Sequence, residues 1–196
     1  MTASVNVRDL EVARGSDGFL RGAPEPVLLA AFYSCIAGRI LLEGRAICRF
    51  ARPAEIPATV ARQEGEPLPR ARRSLDPTDR FMLLLVAIEE DNRADITTLF
   101  AAFEAPDAMS AYLPGATDPT PYSLRELAMA RPPNLPDAIS CSLLIEEHVF
   151  ATRVTNDDFV GAAFVTFGVG DAAYRARFVS DDGLNDWTAN VDIRVA

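Results

Sequence analysis

The chain has 196 residues, 49% of them hydrophobic, enough for a sizeable core and bounding it at one generous domain or one domain with insertions. Its formal net charge of −9 leaves no basic stripe able to displace counterions from phosphate, so nucleic acid is excluded as an expected partner. All 19 basic residues are arginine, a bias that reflects a GC-rich genome more than mechanism but removes every Schiff-base or lysine-base reaction.

No apolar run approaches the ~20 residues needed to span a bilayer, and the stretch from Met1 to Glu11 has no apolar leader core. The chain is therefore expected to be soluble and cytoplasmic, at most peripheral to a membrane. Cys35, Cys48 and Cys141 are widely spaced and lack the paired pattern of a zinc site, so they are read as core thiols.

In chain order, the first strand changes phase. Val5 and Val7 share one parity and Leu10 and Val12 the other, which requires a bulge near Arg8-Asp9 if all four are to face inward. Arg14 to Pro26 is a glycine- and proline-rich loop. Val27 to Ile36 and Arg39 to Phe50 form a hairpin around Ala37-Gly38. In its second strand Ile40, Leu42, Ala46, Cys48 and Phe50 alternate with Arg39, Glu43, Arg45 and Arg49. A two-residue turn pairs Cys35 with Ile40 and Cys48 with Val27, which holds the two thiols ~26 Å apart and forbids a disulfide.

Arg52 to Arg80, with five prolines and six arginines, is the first interruption and suits neither a helix nor an inner strand. Phe81 to Ile88 is apolar on both parities, as in a central strand covered on both faces. Arg93 to Phe103 has helical spacing of Ile96, Leu99, Phe100 and Phe103. Pro106 to Pro136 holds seven prolines and a second short helix, started by a capping box of Ser123 and Glu126.

Beyond Pro136 the chain has no proline and reads as strand after strand: Ile139 to Phe150, Phe159 to Phe167, Tyr174 to Val179 and Asp186 to Val195. The last places Trp187, Ala189, Val191, Ile193 and Val195 on one face. The expected fold class is all-β, an antiparallel β-sandwich formed by residues 1–196, with proline-rich insertions at about 52–80 and 91–138 and two short helices.

Two motifs in this order resemble a C2 domain. The first is a strand leading into Ser16-Asp17-Gly18 and a loop closing on Pro24-Glu25-Pro26-Val27; the second is an apolar strand ending in acids and followed by Asn156-Asp157-Asp158-Phe159-Val160-Gly161. In that family the first loop closes with Ser-Asp-Pro-Tyr-Val and the third with Asp-Asp-Phe-Ile-Gly. The resemblance implies an eight-stranded antiparallel sandwich whose loops at one end bind calcium and, through it, anionic phospholipid. Asp17 and Glu25 would stand for the first-loop acids, Glu147 for an acid closing the sixth strand, and Asp157 or Asp158 for the third-loop acid. The chain departs from the family in having glutamate at residue 25, Glu146-Glu147-His148 in place of Asp-x-Asp, and an insertion from Asp91 to Ala138.

Topology points to the same place. If the last four strands alternate in direction, the loops at 151–158 and 180–185 emerge together, bringing Asp157, Asp158, Asp181, Asp182 and Asp186 to one end. Calcium takes six to eight hard oxygen ligands of this kind. Turn acids are also ordinary solvated residues.

His148 falls on the polar parity of its strand and is read as a surface imidazole, and Cys141 lies on the opposite parity, which separates the pair. No nucleophile elbow, phosphate loop or zinc signature is present. The expected function is a non-enzymatic interaction module, a structural or accessory subunit attached to a larger protein assembly by its long insertions, with Arg70, Arg72 and Arg73 as a basic contact. The alternative is a calcium-dependent phospholipid-binding module.

Overall fold

In a computed structural model the chain forms two antiparallel sheets and two short helices. Described residues are 2–15, 23–63, 80–90, 93–112, 121–129, 139–145, 148–149, 159–180 and 182–196, with side chains described for these except at 93–95, 98, 139–145 and 148–149. The strands are β1 (Ala3–Arg14), β2 (Pro26–Ile36), β3 (Arg39–Arg49), β4 (Ala58–Ala61), β5 (Arg80–Glu89), β6 (Met109–Tyr112), β7 (Tyr122–Ser123), β8 (Ile139–Ile145), β9 (His148–Val149), β10 (Phe159–Phe167), β11 (Gly170–Val179) and β12 (Asp186–Val195). The helices are α1 (Arg93–Ala102) and α2 (Leu124–Met129).

The small sheet has the order β11-β12-β1-β4, and the large one β3-β2-β5-β10-β8-β6-β7 with β9 paired to β8. Their facing sides enclose the first core, which includes Leu10, Phe32, Phe81, Val165, Phe178 and Trp187. The large sheet buries its other side as well. There Leu29, Tyr33, Leu84 and Val86 pack under Ile96, Leu99 and Phe103 of the α1 region and Leu124 and Leu127 of α2. This is why β2 and β5 are apolar on both parities: each successive residue enters a different core.

The phase change in β1 is a bulge. Val7 faces Val191 while Asp9 faces Asn190, so Arg8 is the extra residue and Val5, Val7, Leu10 and Val12 are all buried. The β2–β3 hairpin turns on Ala37 and Gly38, both with positive φ (46° and 73°), as the twist of a two-residue turn requires. Cys35 pairs with Ile40 as expected, but Cys48 pairs with Leu28 rather than Val27. The reason is a second bulge: Phe32 faces Gly44 and Tyr33 faces Leu42, leaving Glu43 over. It also breaks the single inward face expected of β3. Ile40 and Leu42 join the outer core, whereas Ala46, Cys48 and Phe50 join the inner one.

Other boundaries differ from the sequence reading. The run expected from Ile139 to Phe150 is described as two strands, β8 and β9, and β11 begins at Gly170 rather than Tyr174. Both proline-rich segments are partly built into the fold. Residues 50–63 form a corner between the sheets: Ala51 N–H donates to the Ala61 carbonyl at 3.1 Å, Gln63 N–H donates to the Arg49 carbonyl at 2.8 Å, and β4 pairs with β1. The second segment supplies α1, α2, β6 and β7 to the large sheet and its outer core, so the strands exceed the eight that the resemblance implies. The capping box is formed as expected, with Ser123 N–H donating to Glu126 Oε2 at 2.8 Å and Glu126 N–H donating to Ser123 Oγ at 3.2 Å.

Candidate functional site

Strand directions bring five connections to one end of the sandwich. β1, β3, β5, β8 and β11 finish there, and β2, β10 and β12 begin there. The two sheets meet closely at that end, because a Cβ on Gly161 of β10 would lie 3.2 Å from Phe178 Cβ and 3.3 Å from its Cα. The expectation that the connections 151–158 and 180–185 leave from the same end is thus met by the strands that bound them. Of the expected calcium ligands, Asp17, Glu147, Asp157 and Asp158 lie outside the described residues, as do Asp181 and the Arg70, Arg72, Arg73 cluster. Glu25, Asp182 and Asp186 are described.

Each of those three carboxylates already has a cation or a turn to hold. Glu25, just before β2, pairs with Arg52 from the corner segment, and its backbone N–H donates to Glu89 Oε1 at 3.1 Å. Beside it Arg49 clasps Glu90 with two bonds, from Nε at 3.1 Å and Nη2 at 3.0 Å. These four side chains line a cleft of about 250 Å³ with Gln63 and Phe50. Asp186 receives both Nε and Nη2 of Arg177 at 2.9 Å and Arg14 at 3.3 Å. The Arg177 bonds, helped by Arg14, hold the Asp186 carboxyl below the usual carboxylate range. Asp182 closes the β11–β12 turn, accepting from Ser180 Oγ at 2.6 Å and from Leu184 N–H at 2.9 Å. The same bonds, the Ser180 hydroxyl first, depress its titration. Among the described residues no group of three or more histidines, cysteines or acids is arranged to hold a metal.

Cys35 is a poor nucleophile. Cys35 and Cys48 are buried thiols outside any disulfide, and burial pushes the Cys35 thiol up against the opposing fields of Arg125 and Arg80. The two belong to different cores, on opposite sides of the large sheet. For Cys141 and His148 only the backbone is described, pairing with Ala162 and Ile145.

At the opposite end, the β10–β11 turn opens a second cleft of about 240 Å³, lined by Arg80, Thr166, Phe167, Asp171, Tyr174 and Ile193. Phe167 of this lining also stacks with Phe32 and Phe81 in an aromatic triangle, with ring centroids 5.6–5.8 Å apart. From this cleft β11 runs the length of the small sheet, its outermost strand among the described residues. The outer face of that sheet is a ladder of cross-strand pairs: Arg194 with Asp171 at 3.3 Å, Arg8 with Asp192 at 3.2 Å and Arg175 with Glu11 at 2.8 Å.

No family model, curated protein or solved structure matches the chain.

The acids at the loop end are visible in the sequence, but their arginine partners are not. Arg14 and Asp186 are 172 residues apart, and only a strand register brings them together. The full extent of β11 is likewise hidden, because Gly170-Asp171-Ala172-Ala173 has little strand propensity of its own. Among the described residues no helix is long and apolar enough to cross a membrane.

Proposed function

We propose that the protein is a non-enzymatic interaction module, a structural or accessory subunit that joins a larger protein assembly by accepting or donating a strand at β11. One observation carries the reading. Among the described residues β11 is a ten-residue edge strand with unbroken register against β12 and no proline, the kind of edge that templates pairing with another chain. The loop-end chemistry supports it indirectly, since carboxylates spent on arginines and turn amides hold a scaffold together rather than bind a substrate. The test is to separate the native extract by size and follow this protein with and without Ala172→Asp. Ala172 is a half-buried, inward-facing position of β11, and a carboxylate there guards the edge against any added strand. Wild type should migrate in a large complex and the variant alone; migration of both as the free chain would end the proposal.

A second reading, calcium-dependent binding to an anionic phospholipid surface, draws on the gathering of strand ends beside Glu25, Asp182 and Asp186. Calcium bound only by the folded chain would raise its melting temperature by mass action. Co-sedimentation with phosphatidylserine vesicles that does not respond to a chelator would remove this reading.

A further inference from the structure

Among the described residues, three strand edges carry an obstacle to pairing. β3 is bulged at Glu43, whose carboxylate turns inward to accept from Ser34 Oγ at 2.5 Å; β4 has only four residues and follows Pro57; β7 has two. Such devices are how sheet proteins defend their edges. β11 has none of them. Its partners run from Gly170 opposite Val195 to Val179 opposite Asp186 without a shift.

We propose that β11 pairs antiparallel with β11 of a second copy of this chain, with Tyr174 on the two-fold axis, fusing two four-stranded sheets into one. The inference rests on the strand-addition reading above and names its partner. Opposite residues in an antiparallel pair point to the same face, so only registers that match parity are allowed. In β11 the inward set is Ala172, Tyr174, Ala176 and Phe178, and the outward set is Asp171, Ala173, Arg175, Arg177 and Val179. An axis through Arg175 sets that arginine against its own copy, which is unfavourable. An axis through Ala173 matches Asp171 with Arg175 but pairs only Gly170 to Ala176. The axis through Tyr174 pairs Gly170 to Phe178, sets Asp171 opposite Arg177 of the second copy on both sides, and faces Ala172 with Ala176.

The charge ladder of the small sheet would continue across this seam. Asp171 already meets Arg194, and Arg177 meets Asp186, so Asp171 facing Arg177 of the second copy links the two ladders. Ala172 and Tyr174 are half-buried at the edge, and burial already raises the Tyr174 phenol. Pairing would cover both.

The test is sedimentation of the purified full chain over a concentration series, with hydrogen exchange of β11 followed in parallel. The expected result is a concentration-dependent dimer in which the amides of Gly170 to Phe178 gain protection as dimer forms. Ala173→Arg supplies the control. Ala173 is exposed and lies opposite Asp192 within its own chain, so arginine there is compatible with the fold yet faces Arg175 of the second copy. The two-fold repeats that clash, so the variant should dimerise about tenfold more weakly with an unchanged monomer melting curve. A chain monomeric at every concentration, a dimer whose β11 amides exchange at the monomer rate, or a dimer indifferent to Ala173→Arg would each overturn the proposal. A chain that is monomeric when pure yet migrates in a large complex in native extract overturns self-pairing while leaving the strand-addition reading intact.

Discussion

Asp186 answers arginines from two different strands, Arg177 with both oxygens and Arg14 with one, and thereby ties both neighbours of β12 at the loop end. Asp182 closes the adjoining turn by accepting from the Ser180 hydroxyl and the Leu184 N–H. Both carboxyls titrate in the folded chain below their ordinary values, so the folded state binds fewer protons than the unfolded one near those values. The stability they add is therefore complete above the unfolded value of about 4 and is lost as pH falls through the folded values. Asp186→Asn should lower the melting temperature at neutral pH and flatten its fall below about pH 4, read from thermal melts over a pH series. An unchanged acid slope would show that Asp186 is not what acid attacks. Gly161 makes a second residue-scale point. It lies where β10 approaches the Phe178 backbone, so Gly161→Val should cost about 1–3 kcal/mol in denaturant unfolding through forced separation of the sheets.

Elements were legible where one physical rule governs a short stretch. The phase slip from Val7 to Leu10 announced the β1 bulge, because inward burial is demanded on both sides of it. The capping box announced α2, because its partners are three residues apart. The bulge at Glu43 was not legible, since the alternation from Ile40 to Cys48 reads as perfect when only one core is imagined. Two cores, one on each side of the sheet, reward a change of face that a one-core pattern hides. The site was less legible still, as its arginine partners depend on registers set by the whole sheet. The β1 bulge yields a deletion test. Removing Arg8 leaves Val5, Val7, Leu10 and Val12 in one continuous phase, and the Arg8–Asp192 pair it sacrifices is exposed and worth about 0–1 kcal/mol. Removing Glu11 instead turns Val12 out of the core. The first deletion should fold with a cooperative melt and the second should not; loss of folding in both would mean that the bulge itself is required.

At the scale of the whole molecule, the large sheet serves two cores with the same strands. Leu28, Ala30 and Phe32 of β2 face the small sheet, while Val27, Leu29, Ala31 and Tyr33 face the helices. β5 divides likewise, with Phe81, Leu83, Leu85 and Ala87 on one side and Met82, Leu84, Val86 and Ile88 on the other. Part of the proline-rich insertion therefore covers its own sheet, and Tyr33 fastens it by donating its hydroxyl to the Phe103 carbonyl at 3.0 Å. Exposing either face would strand the apolar half of β2 and β5 in water, at a cost of ~25 cal/mol for each Å² uncovered. The two layers should then unfold together. Trp187, the only tryptophan, is wholly buried in the inner core and reports on that layer alone. Leu99→Ala, a truncation in the helix layer at a fully buried position, should cost about 2–5 kcal/mol and move the Trp187 fluorescence midpoint by the same amount as the far-ultraviolet dichroism midpoint. If the dichroism change came first and the Trp187 transition stayed in place, the helices would be a separable layer and the shared strands would not couple the cores.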